Sequence, residues 1–164
     1  MRREGTTERK PRNDKKVDVK PTMSLELKEL LYHFAYLSNE PVKDVAERLC
    51  IVGAMSEEII LSIRHWFRRD YHRSNTITVG YLERPRLKII MKGETGKVTI
   101  KFPRYDYDIL CRLAHALDIT PTSTCTLLIK MTLTNRDFME SYVERYLKDL
   151  DKKKLLEIHH KLKL

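Results

Sequence analysis

Long apolar runs are missing from this 164-residue chain. No stretch approaches the roughly 18 uninterrupted apolar residues a membrane helix needs. Its first 20 residues are polar and charged rather than a basic cap before an apolar run. The expectation is therefore a cytoplasmic protein with no membrane span and no secretory signal. Glycine is scarce at 5 residues, and no Gly-rich phosphate loop is present. The three cysteines, Cys50, Cys111 and Cys125, have no paired spacing, which argues against a disulfide framework or zinc site and for reduced, buried small hydrophobes. His159-His160 sit in a lysine-rich tail and His65 and His72 beside Arg68 and Arg69, without the i, i+4 pair and carboxylate of a metal motif. Tyr71 and Tyr105 lack the Arg/His surroundings of a strand-transfer nucleophile and are expected to pack. These absences predict no enzyme, no cofactor and no metal.

What the chain does have is unevenly distributed positive charge. The net charge is +9, with the basic excess in residues 1–20 (8 basic, 4 acidic), 64–104 (11 and 3) and 148–164 (6 and 3). The blocks between reverse the sign, with 3 basic and 7 acidic residues in 21–63 and 4 and 6 in 105–147. Segregation of this kind suits a polyanionic partner met by one face of the molecule.

Two segments also align with an offset close to eighty residues. Lys16-Val17-Asp18-Val19-Lys20 matches Lys97-Val98-Thr99-Ile100-Lys101, and after one residue of slippage Leu30 matches Leu110, Leu37 matches Leu117 and Pro41 matches Pro121. Ile59, Ile63, Trp66 and Phe67 then fall over Met139, Val143, Tyr146 and Leu147. In the second copy Val98, Ile100 and Phe102 alternate with Lys97, Thr99 and Lys101, the period of a half-buried strand that Pro103 stops. Leu110, Leu113, Ala114 and Leu117 give a helical stripe, and Thr120-Pro121 a cap and first turn for a second helix through Cys125, Leu128 and Ile129. A third helix is predicted from Phe138 to Leu150, running on through Lys152-Lys153-Lys154. In the first copy the helices carry Leu27, Leu30, Leu31 and Phe34, then Val42, Val45, Ala46 and Leu49. Gly53 marks a break there, and Ser56 opens a third helix reaching about Arg69.

Strand, proline, helix, turn, cap-proline and helix together resemble the ribbon-helix-helix family of DNA-binding repressors, most closely over Val98–Phe102, Pro103, Leu110–Ala114 and Leu117–Pro121. The resemblance implies a mainly α fold with a short antiparallel β-ribbon, in which two units intertwine and the ribbon enters the major groove of DNA. Covering Val98, Ile100 and Phe102 with helices leaves Lys97, Thr99 and Lys101 as base-reading residues, with Lys16, Asp18 and Lys20 as their counterparts. Lysine donates to guanine O6 or N7, threonine contacts bases as donor, acceptor or methyl, and aspartate accepts from cytosine N4. Phosphate contacts are expected from Thr120, Thr122 and Ser123 at the start of the second helix, and from Arg104, Arg12 and Lys15. In the first copy Glu40 at the cap and Asp44 after it repel a phosphate.

The expected organisation is a flexible basic arm at 1–15, a first ribbon-helix-helix repeat with third helix at 16–72, a connector at 73–96, and a second repeat with third helix and basic tail at 97–164. The connector holds Thr76–Val79 and Leu87–Met91 as either a small hairpin or an extended crossover. At about 3.3 Å per residue it is long enough for the two repeats to pair within one chain as a pseudo-dimer, the alternative being a homodimer of identical repeats. The partner implied is double-stranded DNA, with self-association along it. The process would be transcription regulation or plasmid or phage maintenance, and the rival class is a protein-interaction module such as an antitoxin or a DNA-transfer accessory protein.

Overall fold

A computed structural model describes residues 15–162. The expected N-terminal arm at 1–15, including Arg12, lies outside the described residues except for Lys15, which is exposed. The described chain is mainly helical, with short antiparallel strand pairs. Strand β1 (Val17–Val19) pairs with β6 (Ile100–Phe102), matching Val17 to Phe102, Asp18 to Lys101 and Val19 to Ile100. Strand β2 (Thr22–Ser24) pairs with β5 (Thr95–Lys97), matching Thr22 to Lys97, Met23 to Gly96 and Ser24 to Thr95. The two pairs keep one register, so Lys20 stands opposite Thr99, and the Val98 N–H donates to the Pro21 carbonyl at 3.2 Å between them. They form a single two-stranded ribbon, interrupted at Pro21 because proline has no N–H to give the ladder.

The ribbon is stable because one face is covered. Val19, Pro21, Met23, Val98, Ile100 and Phe102 are buried. Helices α1 (Leu25–Ser38), α2 (Val42–Met55), α4 (Arg104–Leu117) and α5 (Pro121–Thr134) pack on it, α2 and α4 against β6 and α1 and α5 against β2. The Thr126 hydroxyl donates to the Thr22 carbonyl at 2.8 Å, tying α5 to the strand.

Helix ends follow local chemistry. Ser24 caps α1 by accepting from the Leu27 N–H at 3.2 Å. Thr120 caps α5 by accepting from Ser123, with Pro121 at the first helical position. Both α1 and α4 end on a left-handed residue, Asn39 (φ 56°) and Asp118 (φ 59°), types that tolerate that conformation better than most. Matching elements are spaced by 79 residues: Leu25 to Arg104, Val42 to Pro121, Asn39 to Asp118, and the starts of α3 (Glu57–Ile63) and α6 (Arg136–Tyr146). Sequence matching gives eighty-one where it superposes Lys16 on Lys97 and eighty where it superposes Pro41 on Pro121. Pro41 occupies the cap of α2 whereas Pro121 lies inside α5.

Several expectations change. Gly53 does not break a helix but lies within α2, where a Cβ would come within 2.7 Å of the Thr132 methyl on α5. The helix after Ser56 stops at Ile63, followed by a single 3-10 turn to Trp66 and irregular chain from Phe67, short of Arg69. Helix α6 ends at Tyr146 and a separate α7 (Lys152–Leu162) follows, its start capped by Asp151, whose carboxylate accepts from Lys154 N–H at 2.8 Å. The connector hairpin is β3 (Tyr71–Arg73) with β4 (Thr76–Thr78), turning at Ser74 (φ 50°); residues 87–91 form no strand. Buried Tyr71 fixes the hairpin by donating to the Ala54 carbonyl at 3.0 Å, and Arg73 donates to the Met55 carbonyl at 2.9 Å. The connector also ends earlier than expected, since Thr95 and Gly96 belong to the ribbon. Cys50 and Cys125 are buried but Cys111 only half so, and Tyr105 is 73% exposed rather than packed. No helix of the described residues is long and apolar enough to cross a membrane.

A half-buried arginine bridge locks α2 to α6. Arg48 pairs with Glu40 at 2.8 Å, donates to the Tyr142 hydroxyl at 3.3 Å, and lies 5.1 Å from the Tyr146 ring centre. Burial pushes the Tyr142 phenol up to about 12, with Arg48 working against the shift. An unfolded tyrosine titrates near pH 10, so the neutral phenol favours the folded state fully below that value, and the benefit is lost as pH rises toward 12. The two-unit gap corresponds to about 2–3 kcal/mol. Denaturant unfolding followed from pH 9.5 to 12 is expected to show a smaller alkaline loss in Tyr142→Phe than in the parent, and equal slopes would sink this assignment.

Candidate nucleic-acid interface

The uncovered face of the ribbon follows from the strand period. With Val19, Met23, Ile100 and Phe102 turned inward, Asp18, Lys20, Lys97, Thr99 and Lys101 turn outward and are exposed, while Thr22 is half-buried. The register groups them into three cross-strand pairs: Asp18 with Lys101, Lys20 with Thr99, and Thr22 with Lys97. Residues paired this way hold their Cβ atoms about 4.5–5.5 Å apart, so the six form one compact patch. Lys20, Lys97 and Lys101 make no ion pair among the described residues.

Lys16 belongs less well to this patch. It is exposed beyond the end of β1, and its charge opposes the burial that raises the Glu47 carboxyl above its ordinary value. Its ammonium thus lies within electrostatic reach of an acidic group on α2. The residue that completes the patch, opposite Lys97, is Thr22. Sequence reading missed it because Thr22 follows Pro21, which reads as the end of a strand rather than its middle.

The candidate phosphate residues fall in three places. At the start of α5, Thr122 is exposed, and the Thr120 hydroxyl lies 3.1 Å from both the Ser123 N–H and the Ser123 hydroxyl. Thr122 is one helical turn before Thr126, the residue bonded to Thr22, so this end of α5 is close to the ribbon. Arg104 is exposed in the first turn of α4, beside exposed Tyr105, and Lys15 is exposed before β1. The start of α2 differs in kind. Its cap is Pro41, with no side-chain bond, rather than Glu40, whose carboxylate is held by Arg48. Asp44 is exposed there, and Asp106 nearby has its carboxyl raised by burial.

A second cationic feature lies on the connector. Asp118 at the end of α4 is shared by Arg68 (3.1 Å), Arg69 (3.2 Å) and Arg86 (3.0 Å). Burial works against the carboxylate, yet hydrogen bonds from Arg86 and Arg69 hold Asp118 below its ordinary value. Arg84 donates to the carbonyls of Arg64 (2.7 Å) and Phe67 (3.1 Å), and Arg68 to that of Leu82 (3.0 Å), which fixes the irregular connector. Arginine density in 64–104 was the only sequence signal, and nothing in it pointed to Asp118 as the gathering point.

Away from the ribbon, an apolar groove of about 600 Å³ runs between α2, α3 and α6, lined by Ile51, Val52, Met55, Leu61, Phe138 and Tyr146 among others. Among the described residues no group of three or more His, Cys, Asp and Glu side chains is placed to hold a metal ion. No family model matches the chain, and neither the curated proteins nor the solved structures give a match.

Proposed function

We propose that this protein binds double-stranded DNA in a sequence-dependent manner by laying its two-stranded ribbon in the major groove, acting as a transcriptional repressor or as a regulator of plasmid or phage maintenance. The observation that carries the reading is the ribbon itself: two strands from distant parts of one chain, apolar on the covered face, with Asp18, Lys20, Thr22, Lys97, Thr99 and Lys101 on the open one. The major groove is about 12 Å wide and admits such a ribbon. In this reading the two halves are ribbon-helix-helix units paired as an intramolecular pseudo-dimer. The common spacing of 79 residues supports it, since that spacing also separates Lys20 from Thr99, the pair that meets at the ribbon's centre. On either side of that centre Asp18 with Lys101 faces one half of the site and Thr22 with Lys97 the other, so the preferred sequence is not a palindrome.

The test is selection of bound duplexes from a randomised pool by the parent and by a Lys97→Ala, Thr99→Ala, Lys101→Ala variant. The parent is expected to enrich one asymmetric motif. The variant should retain only salt-sensitive, sequence-blind affinity, a loss of discrimination of about 1–3 kcal/mol for each well-made base contact. Identical enrichment by the two proteins means the ribbon does not read bases.

A second reading, a protein-interaction module such as an antitoxin or DNA-transfer accessory protein, draws on the apolar groove between α2, α3 and α6. It also accommodates self-association along DNA, and both are compatible with the ribbon's role.

A further inference from the structure

We infer that the Arg68–Arg69–Arg86 cluster on Asp118 is a pre-assembled phosphate clamp, gripping the duplex backbone at one flank of the ribbon and without a matching cluster at the other. The inference rests on the DNA-binding reading and specifies how the molecule sits on its site. Three guanidinium groups share a single carboxylate, so the cluster carries two more positive charges than negative ones. Packing like charges together is unfavourable unless further anions join them, and guanidinium is the side chain best shaped to bind phosphate in a two-pronged way. The group is already ordered. Arg68 is largely buried, with its Nε–H buried and without an acceptor among the described residues, and Arg69 is also bonded to the His115 carbonyl at 2.9 Å. Arg86 is the open member, its side chain 68% exposed.

Position supplies the rest. Asp118 is two residues before Thr120, the cap of α5, and α5 is the helix bonded to β2 through Thr126 and Thr22. The cluster therefore belongs to the flank where Thr22 and Lys97 face outward. On the opposite flank the residue 79 positions earlier is Asn39, an amide that gathers no arginines among the described residues. There the neighbouring Glu40 is occupied by Arg48, and Asp44 adds negative charge. One end of the site carries a pre-assembled arginine cluster; at the other the helix start is acidic, and the exposed cations Lys15, Lys16 and Arg104 are gathered on no shared carboxylate among the described residues.

The experiment uses the full chain and the duplex its parent form selects. Arg69→Gln/Arg86→Gln is compared with the parent for the dependence of affinity on salt, on the selected duplex and on a scrambled one, and by hydroxyl-radical footprinting. With about 0.9 counterions released per phosphate contact, the slope of log affinity against log salt is expected to fall by about two on both duplexes. The selected motif should remain the same, and backbone protection should vanish from one flank only. Arg86→Glu, at the most exposed of the three positions, lowers the charge by the same two units, provides a second variant and should give a comparable loss of affinity on the same flank. A folded variant with parental slope and footprint overturns the clamp and leaves base reading by the ribbon intact, as does protection lost equally from both flanks. A parent that selects no motif overturns the ribbon reading and the clamp together.

Discussion

Phe102→Ala is expected to lower the stability of the folded chain by about 3–5 kcal/mol, while Lys101→Ala, one residue earlier, should change it by less than about 0.5 kcal/mol. The contrast comes from the strand period. Phe102 points into the core and is fully buried beneath the helices, whereas Lys101 points out from the open face of the ribbon. An alanine at 102 leaves a cavity where the ribbon joins α2 and α4, and the packing around it relaxes only in part. Since small domains are stable by only about 5–15 kcal/mol, such a loss should bring unfolding into the range of mild denaturant. If the ribbon reads DNA as proposed, binding should show the opposite ranking, with Lys101→Ala folded and defective on the duplex the parent selects. Parallel denaturant curves and binding isotherms on the two variants decide the matter. Similar stability losses at 101 and 102 would mean that the ribbon is not covered on one face only.

Much of this architecture was legible because local chemistry and hydrophobic period agree. The alternation of Val98, Ile100 and Phe102 marked the strand, Pro103 its end, and Thr120-Pro121 the start of α5, each through a constraint that acts within a few residues. Register was less legible. Matching Lys16 to Lys97 by identity offsets the first strand by 81 residues, whereas the helix starts are spaced by 79, the spacing that also separates Asp18, Lys20 and Thr22 from Lys97, Thr99 and Lys101. Because side chains alternate with period two, a two-residue shift leaves every side chain on its proper face. The difference therefore produces no hydrophobic conflict by which it could be noticed. The arginine cluster was hidden for another reason: Arg68, Arg69 and Arg86 meet Asp118 only through tertiary packing, between segments separated by 32 or more residues.

Gly53→Val is expected to destabilise the protein by about 1–3 kcal/mol through overpacking, with Gly53→Ala milder. An isolated glycine in a helical pattern has two readings, a break or a place where another element comes close, and the period of the neighbouring residues does not separate them. In the structure α2 continues through Gly53 to Met55, and the Thr132 methyl of α5 occupies the space a side chain would need. Thr132 has little freedom to yield. It is buried, and its hydroxyl donates to the carbonyls of Leu128 (2.7 Å) and Ile129 (3.1 Å), so swinging the methyl away also breaks those bonds. Alanine in a helix interior gains about 1 kcal/mol over glycine, which offsets part of the clash, whereas valine adds two further methyl groups and gains less from the helix. A Gly53→Ala, Thr132→Ser pair, which removes the obstructing methyl, should recover most of the loss measured for Gly53→Ala alone. If the pair is no more stable than the single variant, the close approach of α2 and α5 is not what the glycine serves.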